Sequence, residues 1–96
     1  MSPININKLN LLRKKLDKLD YDLLKIIKKR SEIIKKVIIL KTSKTEIVDK
    51  KRINQILKKI KNESVKLKID PMITNRIWKN MIWSYIDFER RNFKKK

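Results

Sequence analysis

The chain has 96 residues and a formal net charge of +18, with two prolines and no glycine, cysteine or histidine. That length suits one compact domain with no room for a second core, and the missing residue types exclude disulfides, thiol chemistry, the usual zinc sites and every Ser-His or Cys-His nucleophile. The charge suggests nucleic acid or an anionic surface, but the lysine pairs starting at 14, 28, 35, 50 and 58 and the tail at 94–96 are scattered round the helices, as an AT-rich coding sequence would leave them, and read as solvated surface.

The longest uninterrupted apolar run is Val37 to Leu40, far short of the roughly 20 residues a membrane span requires. No charged-then-apolar signal opens the chain, so a soluble, cytoplasmic protein is the expectation.

From Ile6 to about Thr42 nothing breaks a helix, and Leu9, Leu12, Leu16, Leu19, Leu23 and Ile26 step by three or four. Such a rod is roughly 54 Å long. Residues 42–46 lose the period and read as a loop. Asp49 is placed to N-cap a second helix with Ile53, Ile56, Leu57, Ile60 and Val65 on one face. Asp70-Pro71 gives an N-cap followed by proline at the first helical position, and the third helix carries Ile73, Ile77, Trp78, Met81, Ile82, Tyr85 and Ile86 as far as about Phe93. Trp83 is ambiguous. The fold class is therefore all-α, one domain over residues 1–96 with a lysine tail at 94–96 that has no reason to order.

Two shorter helices cannot cover a first helix that is apolar almost from end to end. A second copy can, which predicts an intertwined helical homodimer. A plain coiled coil fits less well, because the stripe is wide and drifts between paired and single apolar positions.

Three polar residues interrupt these stripes. Arg30 sits between the isoleucine pairs 26–27 and 33–34, and Lys41 follows four residues after Val37. Glu89 takes the slot after Trp78, Ile82 and Tyr85. A buried unpaired cation costs several kcal/mol, so both cations require anions. Asp17, Asp20, Asp22, Glu32 and Asp49 are available for structural ion pairs, but three intrusions in one small domain point to a lined polar pocket. Arg30 and Lys41 lie 11 residues apart, three helical revolutions, and share a face. Arg13 is 17 residues before Arg30, which on one rod places the two about 25 Å apart and turned by about 100°. One ligand touches both only if Arg13 comes from an antiparallel partner.

The segments LNLLRKKLDKLDYDLL, IIKKRSEIIKKVIILK, IVDKKRINQIL and DPMITNRIWKNMIWSYIDFE together resemble the all-helical chorismate mutases across nearly the whole chain. The resemblance implies a cytoplasmic isomerase of aromatic amino acid biosynthesis (the shikimate pathway), converting chorismate to prephenate without metal or cofactor. It makes Arg13 the arginine donated across the dimer to a substrate carboxylate. Arg30 is then the carboxylate-binding arginine within the protomer, and Lys41 the lysine reaching a carboxylate and the bridging ether oxygen. Asp49 matches the loop aspartate near the substrate hydroxyl, Arg52 the arginine at the site entrance, and Glu89 the final polar residue facing the ether oxygen. Two positions depart from the pattern: Ile53 stands where a glutamate is common, and Tyr85 where a serine often holds a ring carboxylate. Both departures also occur in the related isochorismate-pyruvate lyases, which are the nearest alternative.

An intramolecular [3,3] rearrangement needs no nucleophile and no proton transfer, so a chain without histidine or cysteine loses nothing. Guanidinium groups suit a dianion held in its compact conformer, and an ammonium suits the stretching ether bond. An ether oxygen only accepts hydrogen bonds, so Glu89 must be protonated to help it. A non-enzymatic nucleic-acid binder is the alternative on charge alone, and it predicts salt-sensitive binding that survives Arg30→Ala.

Overall fold

A computed structural model describes residues 1–94 as three helices, α1 Pro3–Leu40, α2 Lys50–Lys66 and α3 Pro71–Asn92, with no strand among the described residues. Lys94 is exposed beyond the last helix, and Lys95 and Lys96 of the expected tail lie outside the described residues. The chain divides into two compact units, Met1–Ile33 and Ile34–Lys96.

In the first unit, residues 3–33 belong to α1. The helix starts three residues before the apolar periodicity predicts, because Ser2 precedes Pro3 at the first helical position. The Ser2 hydroxyl accepts from the Asn5 backbone N–H at 3.2 Å, satisfying one of the orphan donors of the first turn. With no glycine and no further proline until residue 71, nothing stops propagation. Leu12, Leu16, Leu19, Leu23 and Ile26 of the expected apolar stripe are each more than half exposed in the single chain.

The second unit holds the end of α1, a connecting segment with a 3-10 turn at Lys44–Glu46, and the α2–α3 hairpin. Helix α1 ends at Leu40, two residues short of the expected limit. Asp49 caps α2 as the sequence predicts, its carboxylate accepting from the Arg52 N–H at 3.0 Å. Asp70 likewise accepts from the Met72 N–H at 2.9 Å, with Pro71 opening α3. Between them α2 closes in a Schellman arrangement: the Lys68 N–H donates to the Val65 carbonyl and the Ile69 N–H to the Ser64 carbonyl. The residue at its left-handed position is Lys68, φ 59°, in a chain that has no glycine to put there.

Ile47 from the connecting segment inserts against Ile82 and Ile86 of α3, and Val48, Ile53, Ile56, Leu57 and Phe93 pack round that cluster. Helices α2 and α3 are antiparallel, with residues 53–57 beside 82–93 at one end and Ser64 beside Thr74 at the other. The buried strips differ from the expected ones at this second end. Ser64 and Thr74 are buried, while Val65, Ile73 and Ile77 are each more than half exposed. The two hydroxyls lie 2.7 Å apart and share a hydrogen bond; each has a single proton, so while one donates across to the other, the other donates back to its own helix, to the Ile60 carbonyl from Ser64 or to the Pro71 carbonyl from Thr74. Small, mutually satisfied hydroxyls let the helices approach where branched isoleucines would hold them apart. Trp78 is half-buried on the packed face and Trp83 is exposed.

Candidate functional site

Lys41 and Glu89, the two core-facing charges of the second unit, meet. The Lys41 Nζ donates to Glu89 Oε1 at 2.8 Å, with side chains 19 % and 7 % exposed. Glu89 reaches that place because α3 carries Ile82 and Ile86 on the same strip, and Lys41 because α1 has just ended, its backbone N–H still bonded to the Ile38 carbonyl. The carboxylate that answers Lys41 is thus outside the set Asp17, Asp20, Asp22, Glu32 and Asp49. Asp49 is committed to its cap, Asp22 pairs with Lys18 at 2.9 Å, and the residue 48 positions downstream closes the pair. An ammonium has three donors and this bond takes one, so a second acceptor can be held beside it. Breaking such a pair from one side strands a buried charge at a cost of about 3 kcal/mol.

The segment after Lys41 is organised by one carboxylate. Glu46 Oε1 accepts from the Thr42 hydroxyl at 2.6 Å and from the Thr42 backbone N–H at 3.3 Å. The Thr42 hydroxyl holds the Glu46 carboxyl below its ordinary value; slight desolvation opposes it, and the backbone N–H groups of Thr42 and Ser43 and the Lys41 charge assist. Ser43 and Thr45 share a hydroxyl contact at 2.6 Å, and the Glu46 and Ile47 N–H groups bond back to Ser43 and Lys44. Lys41, Thr45, Glu46, Val48, Asp49 and Lys50 line one open depression. The lost apolar period marks residues 42–46 only as a loop. The signal for the organising carboxylate is Ser43-Lys44-Thr45-Glu46, a capping-box spacing whose glutamate reaches back chiefly to Thr42.

The other expected residues are placed as follows. Arg52 is exposed in the first turn of α2, and its N–H serves the Asp49 cap. Tyr85 is half-buried one turn before Glu89 and meets Phe88 edge-on at 6.5 Å. Ile53, at the position where glutamate was the common alternative, packs against the Ile47–Ile82–Ile86 cluster. In residues 1–33, Arg13 is exposed on α1 beside Asn10 and Asp17, and Arg30 is half-buried. The lysines of the five pairs are all exposed, as expected of a solvated surface. No helix among the described residues is long and apolar enough to cross a membrane.

The family described as chorismate mutase type II matches residues 12–90, from the last leucine of LNLL to the residue after Glu89. No curated protein and no solved structure gives a match. The matched span covers well over half of the chain and contains each expected position from Arg13 to Glu89, so the protein belongs to the type II, all-helical chorismate mutase family.

Proposed function

We propose that the protein is a chorismate mutase acting as a homodimer in the cytoplasm, on the route to aromatic amino acids. The observation that carries this reading is a half-buried ammonium paired with a buried carboxylate, Lys41 with Glu89, inside a chain of that family. Arg30 and Arg13 of the partner subunit hold the two substrate carboxylates by forked hydrogen bonds and select the compact conformer. Lys41 offers its remaining donors to a carboxylate and to the ether oxygen as the C–O bond lengthens. Asp49 faces the substrate hydroxyl, Arg52 stands at the entrance, and Tyr85 lines the ring side. Orientation supplies about 7 kcal/mol and a preorganised donor about 3 more. The more than half exposed leucines of α1 give the second copy its reason: they are the surface it covers.

Glu89 has a double part. Ionised, it pairs with Lys41; carrying a proton, it donates to the ether oxygen. Glu89→Gln keeps a carbonyl for Lys41 and an N–H for the substrate, so it is expected to retain chorismate turnover, whereas Glu89→Ala is expected to lose it. A Glu89→Ala variant with wild-type kcat removes Glu89 from the mechanism.

Ile53 gives the isochorismate-pyruvate lyase reading a specific basis, since a residue packed into the apolar cluster supplies no carboxylate to a ring hydroxyl. The deciding experiment assays purified protein with each substrate. Chorismate loss with prephenate formation is expected to be the faster reaction; pyruvate released from isochorismate at the higher rate reassigns the substrate.

A further inference from the structure

The connection between Lys41 and Asp49, residues 42–48, is seven residues long with no glycine or proline, yet it has to fix an ammonium at one end and a cap carboxylate at the other. Its interior is anchored by packing at its far end, where Ile47 is 3 % exposed and Val48 packs round the same cluster. The remaining constraint falls on the residue directly after Lys41: both donors of Thr42, hydroxyl and backbone N–H, converge on a single Glu46 oxygen. That oxygen belongs to the residue directly before Ile47, so it links the exit of α1 to the core anchor. Glu46 also lines the same depression as Lys41 and Asp49.

We propose that Glu46 is a positioning residue: through Thr42 it holds the backbone of Lys41 so that the ammonium lies where the developing charge of the reaction requires it. The inference rests on the mutase reading and assigns a role in that site to a residue that touches no substrate. The clamp needs an acceptor; the carboxylate charge strengthens it without being required for it. A carboxamide oxygen accepts from the same two Thr42 donors, while a methyl accepts from neither. A small shift of a catalytic donor is expensive in rate because its effect depends on alignment with the reacting atom. Substrate affinity, dominated by paired guanidinium contacts, is less sensitive to it.

The test compares wild type, Glu46→Ala and Glu46→Gln in steady-state turnover of chorismate, with amide hydrogen exchange followed at Lys41 and Thr42. Glu46→Ala is expected to lower kcat about tenfold with KM changed by less than about twofold. Exchange at both amides is expected to quicken. Glu46→Gln is expected to keep wild-type kcat and wild-type protection. Equal losses in the two variants, or a Glu46→Ala variant with wild-type kcat, overturn the proposal while leaving the mutase reading intact. If wild-type protein turns over no chorismate, the mutase reading fails on its own. The exchange rates then still decide the clamp: quickened in Glu46→Ala alone sustains it, and equal rates in all three proteins overturn it.

Discussion

Lys68 shows how a residue can be in the right place for a reason its own chemistry opposes. The end of α2 requires a left-handed residue, and a side chain with a Cβ costs about 1 kcal/mol or more there. Lys68→Gly removes that clash without touching either Schellman bond, so urea unfolding is predicted to shift to higher denaturant by about 1 kcal/mol of stability. No change, or a loss, contradicts the assignment of strain to this position. Glu46 makes a second prediction at this scale. Its carboxyl is held low in the folded chain, so the stabilisation it lends the loop is complete above the value it has in the unfolded chain. That stabilisation is lost as pH falls through the lower, folded value. The Thr42 amide resonance should therefore titrate with a midpoint below that of a free glutamate; a midpoint at or above it removes the bond. Lys68 carries no left-handed signal, and Glu46 has only the capping-box spacing from Ser43, in a stretch whose lost period conveys that the helix has ended.

Element boundaries were legible wherever a side chain caps the backbone. Asp49 and Asp70-Pro71 announced α2 and α3 correctly, and Ser2-Pro3 carries the same chemistry at the start of α1, where apolar periodicity alone set the start too late. Helix faces were legible where packing is apolar and misread where it is polar. The strip Ile53, Ile56, Leu57, Ile60 continues to Ser64 and not to Val65, and α3 buries Thr74 in place of Ile73 and Ile77. Hydrophobicity does not mark a buried hydroxyl pair, although the four-residue step from Ile60 to Ser64 does. A double-mutant cycle checks the pair. Ser64→Ala and Thr74→Val are each predicted to cost about 1 kcal/mol, and the double variant less than their sum, since each single change leaves the other hydroxyl short of a partner. Strict additivity would show that the 2.7 Å contact contributes nothing of its own.

For the whole molecule, the cationic interruptions of the apolar stripes were legible, and so was the family they suggested. Their partner was not. Periodicity placed Lys41 and Glu89 on core-facing slots, but only the folding of α3 back on α2 brings residue 89 to residue 41. The uncovered leucines of α1 and the two arginines on that helix remain the part of the account that needs a second chain. Mixing Arg13→Ala with Arg30→Ala protein, after unfolding and refolding together, tests that claim most directly. If Arg13 serves the site of the other subunit, each mixed dimer contains one site with both arginines, and two nearly inactive proteins recover about a quarter of wild-type chorismate mutase activity. A mixture that forms mixed dimers, as native mass spectrometry would record, yet stays as inactive as its components contradicts a dianion held between two copies of the chain.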